Sequence, residues 1–315
     1  MADSDLILDT GVLTRKERRR LWRYKHRDAL VAWVILVPVL LYFLVFYIIP
    51  VVLNFLLSFT NWNGITGQPV WIGVENFLRY LQPPYPLIVF NTAFFVFWIL
   101  LAQTVIAFFV ALLLNEKILG RGVHRAMWYI PTVTSAAIMA QMATIFVSPY
   151  GGILNNILQS LGHQPVIWTT DTNSMRLIII VYSVWRGLGV PVVLFLAGLQ
   201  GIHRELYEAA MVDGGRGYQL LRYITIPLLR PMTLFILVTQ VINNFQIFES
   251  VLLISEGGPR HDTNVMMLQI YSDAFTNLKL GLASSGAVIL MLILVAFTFT
   301  TIRLMNRQQV DDYGT

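Results

Sequence analysis

The sequence predicts an all-α membrane protein, a bundle of about six transmembrane helices. Of its 315 residues, 56% are apolar and only 12% are charged, which is more apolar surface than a soluble domain of this size buries. Apolar runs long enough to cross roughly 30 Å of hydrocarbon recur along the chain. These runs are too continuous for the strands of a membrane barrel, which alternate apolar and polar residues over about ten positions.

Six segments reach the length of about 20 apolar residues that one membrane crossing needs. Their ranges are about 29–57, 87–114, 126–148, 177–200, 228–254 and 282–304. The first segment is too long for the apolar core of a signal peptide, so we expect it to stay attached. Within it, Pro38 and Pro50 are expected to kink or end the helix, with a boundary after Ile49. The alternative beyond Pro50 is that Val51–Thr60 continues as helix toward the outer face.

The segments between the spans divide the chain into a basic arm over 1–28, a membrane domain over 29–304 with a polar loop at 201–226, and a tail over 305–315. Seventeen Lys and Arg residues lie in the arm, the tail and the segments after the second and fourth spans, against four on the other side. The positive-inside rule therefore places both termini and the polar loop in the cytoplasm. This placement explains the net charge of +5 without a nucleic-acid partner.

The polar loop has the pattern of a short helix with a defined end. Over Arg204–Met211, helical spacing places Tyr207, Ala210 and Met211 on one stripe. The Asp-Gly-Gly run at 213–215 is expected to stop this helix, because glycine adopts the left-handed conformation of a C-terminal cap. From the residues alone, the element is either an amphipathic connector resting on lipid headgroups or a docking element for another protein.

The full pattern of this loop resembles the "EAA" signature of membrane permeases in ATP-driven importers. The match runs from Leu206 to Ala210, continues with Asp213-Gly214, and ends with Ile224 and the Pro-Leu-Leu run at 227–229. Further matching blocks lie at 71–77, 196–200 and 257–259, so the likeness covers almost the whole chain. The chain resembles the MalF-like sugar permease subunits of bacterial ATP-binding-cassette (ABC) importers, although the family usually has alanine where Gly215 stands. We expect Gly215 to make the helix end more adaptable.

The resemblance implies a type I ABC importer permease fold in the bacterial inner membrane, with the loop gripping a separate ATPase. The implied partners are a second, MalG-like permease subunit, an ABC ATPase dimer, an extracytoplasmic sugar-binding protein and membrane lipid. The sequence has no G-x-x-x-x-G-K-[ST] phosphate loop, so ATP and Mg are expected on the ATPase subunits, this chain is expected to bind no cofactor, and it is not expected to be an enzyme. The docking residues that the resemblance implies are Leu206, Tyr207, Glu208, Ala209, Ala210, Met211, Asp213, Gly214 and Gly215.

Polar residues inside predicted spans indicate a translocation pathway, because they are costly in lipid. In the fifth span, Gln240, Asn243, Asn244 and Ile247 fall on a single helical face. Their amides donate and accept hydrogen bonds as sugar hydroxyls do, which suits a neutral polyol better than an ion. By the resemblance, this face lines the sugar site in the maltose branch of the family, and Asn244 matches an asparagine there. The alternative is that the amides hydrogen-bond neighbouring helices together.

The fourth span adds Arg186, Gly187 and Val190 to the predicted pathway, at a weak stretch of helix whose matching positions border the sugar in the maltose branch. A guanidinium there could bind a carboxylate, a phosphate or several hydroxyls, so acidic sugars and glycerol phosphate stay open as substrates. Alternatively, Arg186 extends toward the membrane surface or pairs with Glu249.

Two other classes of function are weaker on the sequence. An ion-coupled secondary carrier would be expected to place carboxylates within its spans, and only Glu249 comes near. An intramembrane enzyme would need paired acid, base or metal groups at depth. The chain has no cysteine, and its five histidines lie outside the predicted spans without ligand-like spacing, so no metal site is expected.

Overall fold

The computed structural model describes residues 27–116, 119–168 and 171–313. Most of the basic arm predicted over 1–28 therefore lies outside the described residues. The helices in chain order are α1 Arg27–Phe43, α2 Ile49–Leu57, α3 Glu75–Arg79, α4 Tyr85–Asn115, α5 Arg121–Val133, α6 Ala136–Phe146, α7 Ile153–Ser160, α8 Thr172–Gly187, α9 Gly189–Gln200, α10 Arg204–Val212, α11 Tyr218–Leu220, α12 Ile226–Leu228, α13 Arg230–Phe245, α14 Glu249–Ile254, α15 Met266–Tyr271 and α16 Leu280–Tyr313.

The six predicted spans correspond to three long helices and three bent pairs. The long helices are Val31–Leu57, Tyr85–Asn115 and Leu280–Arg303. The bent pairs are α5 with α6, α8 with α9, and Tyr218–Leu228 with α13, bent by 97°, 46° and 62°. Counting each pair as one crossing confirms an all-α bundle of about six spans. The last helix continues to Tyr313, so the tail predicted from 305 begins inside α16.

The helix does not end at the boundary predicted after Ile49; the continuation past Pro50 is what the structure has, as far as Leu57. A π-helical turn, Leu44–Ile48, joins α1 to α2, and the N–H of Ile49 donates to the carbonyl of Leu44, five residues earlier. Proline removes one N–H and crowds the carbonyl four residues before it. In a π-turn the backbone N–H donates to the carbonyl five residues earlier instead of four, so the hydrogen bonds shift just before Pro50. A second π-turn, Leu221–Thr225, precedes Pro227 in the same way.

The third and fifth spans were each predicted as one helix, and the structure interrupts both. Residues 126–148 bend sharply between Val133 and Ala136, where α5 ends and α6 begins. Residues 228–254 are divided after Phe245, and α14 starts only at Glu249. Apolar composition identifies a crossing, but it does not report these breaks, since every residue around them is compatible with helix.

The core is centred on α4, which packs against α8, α9 and α13. Fully buried side chains from these helices meet there: Phe95, Ile99, Ile179, Phe195 and Ile236. A smaller apolar cluster joins the start of α4 to α15 and α16 through Ile88, Met266 and Leu282. This packing surrounds α4, an unbroken helix of 31 residues, with helices from two bent pairs.

A buried polar network holds the loop before α15. Arg176 donates to Oδ1 of Asn91 and to the carbonyl of Asp262, both at 2.8 Å. The amide of Asn91 donates in turn to the carbonyls of His261 and Asn264. The guanidinium of Arg176 in α8 thus bonds to α4 and to the loop at once, and such charge-assisted bonds fix the positions of both. They hold α4, α8 and this loop together.

The N-terminus of α8 is capped by Asp171, whose carboxylate accepts from the backbone N–H and the hydroxyl of Ser174. These hydrogen bonds lower the pKa of the Asp171 carboxyl below its usual value. Because the folded pKa is the lower one, this cap stabilises the fold above the ordinary carboxyl pKa, and the contribution is lost as the pH falls through the folded pKa.

Candidate translocation cavity and connecting loop

The structure brings all seven predicted pathway residues to one cavity. This cavity has a volume of about 390 Å³ and lies where α4, α5, α8, α9 and α13 meet the break before α14. Among the residues that line it are Arg186, Gly187, Val190, Gln240, Asn243, Asn244 and Ile247. Residues from two predicted spans thus share a single chamber.

Gln103, a residue of α4 that the sequence reasoning missed, also lines the cavity. Its Oε1 accepts from the amides of Gln240 at 2.9 Å and Asn244 at 3.1 Å, and its Nε2 donates to the carbonyl of Ser183 at 3.1 Å. Gln103 is only 2% exposed. The signal in the sequence is an amide in the middle of a long uncharged run, which is costly in lipid unless it has partners.

The amides of the fifth span fall into two groups in the structure. The side-chain amides of Gln240 and Asn244 each donate a hydrogen bond to Gln103, and these bonds join α13 to α4. Asn243 and Gln246 line the cavity and are exposed. One subset therefore builds the wall, and the other presents donors and acceptors to the space inside.

The prediction that Ile247 continues the helical face of Gln240 is wrong in its geometry. The helix α13 ends at Phe245, and residues 246–248 form a non-helical break. Ile247 reaches the cavity from this break and is itself only 8% exposed. The helical period of about 3.6 residues applies as far as the last turn of α13 and does not place side chains beyond it.

Arg186 pairs with Glu249 across the cavity. Its Nη2 lies 3.2 Å from Oε2 of Glu249, while its Nε is buried and has no hydrogen-bond partner within the described part of the chain. Arg186 belongs to the last turn of α8, where the partial negative charge of the helix C-terminus favours a cation. Its backbone carbonyl accepts from the hydroxyl of Thr132 at 2.9 Å, which joins α8 to α5.

The polar loop forms the predicted helix and the predicted stop. The helix α10 spans Arg204–Val212, and Gly214 follows it with a φ of +88°, the left-handed region that glycine adopts without strain. The N–H of Gly215 donates to the carbonyl of Ala210 at 2.8 Å. A Cβ on Gly215 would lie 2.8 Å from that oxygen, so this glycine allows close backbone packing rather than the adaptable end that was expected.

The residues of the stripe predicted on α10 do not share one environment. Tyr207 is half-buried against its own chain, and its hydroxyl lies 2.9 Å from that of Thr225. Met211 is instead exposed, as are Leu206 and Val212. Beside them a groove of about 280 Å³ is lined by Ala210, Asp213, Gly214, Gly215, Gln219, Leu220, Tyr223 and Ile224.

Known relatives match almost the full length of the chain, although no model of a protein family matches it. It is 30% identical over 283 residues to the trehalose/maltose transport system permease protein MalF of Thermococcus litoralis, a match covering 89% of this chain and 95% of the relative. It is 27% identical to the arabinooligosaccharides transport system permease protein AraP of Bacillus subtilis, covering 85% and 86% of the two chains. The lactose transport system permease protein LacF of Rhizobium radiobacter is 29% identical, with 85% and 91% covered.

A solved structure has the same fold. It is that of a bacterial ABC transporter involved in the import of the acidic polysaccharide alginate, with a TM-score of 0.79 at 24% identity, covering 91% of this chain and 99% of the other. These relatives do not favour the ion-coupled carrier. With its apolar helices, the chain is a multi-pass membrane protein, and it belongs to the MalF-like family of sugar-transport permease subunits of ABC importers.

Proposed function

We propose that this chain is one of two permease subunits of an ATP-driven importer that receives its sugar from an extracytoplasmic binding protein. The observation that carries the proposal is the cavity, where amides from α4 and α13 and the guanidinium of Arg186 surround one polar space. Amides and sugar hydroxyls both donate and accept hydrogen bonds. Polar side chains within apolar spans are costly in lipid, so a cluster of them around one cavity supports a pathway for a polar solute.

The loop built on α10 is the proposed contact with an ABC ATPase dimer, on the cytoplasmic side of the inner membrane. Its exposed apolar residues Leu206, Met211 and Val212 adjoin the groove beside Gly214, a surface suited to another protein. ATP and Mg belong to the ATPase subunits in this proposal. The second, MalG-like permease completes the pathway.

A continuous covalent and hydrogen-bonded route joins this loop to the cavity. Tyr207 of α10 bonds to Thr225 in the π-turn, and that turn leads through α12 into α13, which carries Gln240 and Asn244. Movement of the ATPase subunits would therefore act on the same helix that forms the cavity wall. Such rigid-body motion couples two sites when it differs between two states of the assembly.

The test is uptake by the full transporter in proteoliposomes, assembled from both permeases, the ATPase and the binding protein, with maltose, trehalose, lactose and arabinobiose as probes. The substitution Gly214→Pro removes the N–H that donates to the carbonyl of Met211. Proline also cannot adopt the φ of +88° that Gly214 has. We expect it to abolish uptake and weaken ATPase association while membrane insertion is kept. Asp213→Arg should act likewise.

Two outcomes would contradict the proposal. If uptake survives both Gly214→Pro and Asp213→Arg, the loop does not take part in coupling to the ATPase. Uptake that continues without ATP and collapses with an ion gradient would instead support a secondary carrier. The substitution Gly122→Ala is the control, since that glycine has open space around its missing Cβ and lies in α5, outside the loop.

A further inference from the structure

The charges of the cavity carry information about the substrate class beyond sugar transport in general. Among the described residues that line it, Arg186 and Glu249 are the charged ones, and they pair at 3.2 Å. The lining as described therefore has no net charge. In a site partly removed from water, an unbalanced charge on a ligand is costly unless the lining supplies the opposite charge.

Glu249 occupies the position that an anionic substrate would need. Its carboxylate faces one nitrogen of the guanidinium, and a carboxylate or phosphate on a sugar would seek the same donors. The acid is held there by the chain, because it is the first residue of α14, directly after the break at 246–248. An incoming anion would have to compete with it and would also be repelled by it.

The pair still leaves donors for hydroxyl groups. Asn243 and Gln246 line the cavity, and both side chains are exposed. A neutral sugar can bond to these groups without disturbing the ion pair.

We propose that the cavity selects uncharged sugars and that Glu249 is the residue that excludes acidic ones, by neutralising Arg186. This inference rests on the proposed function and deepens it, because it decides among the neutral, acidic and phosphorylated substrates that an arginine in the pathway permits. Removing the charge of Glu249 should convert the site into one that accepts a sugar carboxylate.

The experiment measures equilibrium binding to the purified complex of both permeases and the ATPase, without the binding protein, so that selectivity reports the cavity. The probes are radiolabelled maltose, trehalose and lactose, each beside its derivative with a carboxylate in place of one 6-hydroxymethyl group. Wild type should prefer each neutral sugar by about tenfold or more, and Glu249→Gln should raise the acidic-to-neutral affinity ratio by about tenfold or more.

Two controls isolate the ion pair. Glu256→Gln removes an exposed carboxylate outside the cavity and should leave the ratio as in wild type. The double variant Arg186→Gln with Glu249→Gln should lose the gain for acidic sugars, because the cation is then gone as well. Size-exclusion chromatography of each variant establishes that the complex is intact.

The outcomes separate this inference from the proposed function. Equal or tighter binding of the acidic derivatives by wild type would overturn the inference without any variant, as would an unchanged ratio in an intact Glu249→Gln complex. Binding of neither class by wild type or any variant would instead overturn the sugar pathway itself, and this inference with it.

Discussion

The cavity and the α10 loop are built in opposite ways. In the cavity, position is fixed by side chains that bond to one another, above all by Gln103, which holds two amides of α13 and a carbonyl of α8. In the loop, shape is fixed by the backbone, through Gly214 at a φ of +88° and the close approach of Gly215 to Ala210. Substitutions should therefore act sterically and through lost hydrogen bonds in the cavity, and conformationally in the loop.

After the loss of uptake expected from Gly214→Pro, the next largest effect is expected from Gly187→Ala in the cavity wall. A Cβ on Gly187 would lie 2.1 Å from Nε2 of Gln103, so this amide nitrogen must move away from the carbonyl of Ser183 to which it donates. We expect that movement to disturb the bonds that Oε1 accepts from both α13 amides. Overpacking of this kind costs about 1–3 kcal/mol, and uptake should fall at least about tenfold. Thermal unfolding and proteoliposome uptake measure the two effects. Gly122→Ala makes the same change in open space, and an equal loss there would contradict the steric explanation.

A smaller loss is expected from Gln103→Leu, which keeps the volume but removes the shared acceptor. The amides of Gln240 and Asn244 then lose their partner, and each unsatisfied buried group costs about 1–3 kcal/mol unless it turns toward the cavity. Because the freed amides can rotate toward the cavity, we expect a loss of stability at the lower end of this range, measured by thermal unfolding. Stability equal to wild type would show that Gln103 does not hold the wall.

The loop should respond to Gly214→Ala through its backbone alone. Nothing lies within 4 Å of the added Cβ, but the left-handed φ disfavours alanine by about 1 kcal/mol. We expect weaker ATPase association with little change in the unfolding of the membrane bundle. Gly122→Ala again serves as control, since it also has open space and has no positive φ. Equal affinities of Gly214→Ala and Gly122→Ala for the ATPase would show that the left-handed conformation of Gly214 is not needed for docking.

The smallest effect is expected from Arg204→Ala, which breaks the pair between Arg204 and Glu208 at 2.8 Å. Both side chains are largely exposed, and exposed pairs of this spacing contribute less than about 0.5 kcal/mol. Thermal unfolding in low and high salt should therefore differ little between variant and wild type. A marked drop in stability would mean that the loop, too, depends on side-chain bonds.

Sequence reasoning succeeded where a local rule decides the structure. Apolar length identified the six crossings, and the glycine at 214 marked the end of α10. It failed where the answer depends on tertiary packing. Gln103 is one amide in a long apolar helix, and only the fold shows that it meets α13. The break before Glu249 and the π-turn before Pro50 likewise leave no distinct pattern in composition.

The uninterrupted course of α4 has a mechanical consequence. Its partners in the core, α8 with α9 and α13, belong to helix pairs bent by 46° and 62°, whereas α4 runs through 31 residues without a break. If the chamber changes shape while the core stays packed, we expect the change at the bends of these pairs, with α4 as the fixed frame of reference.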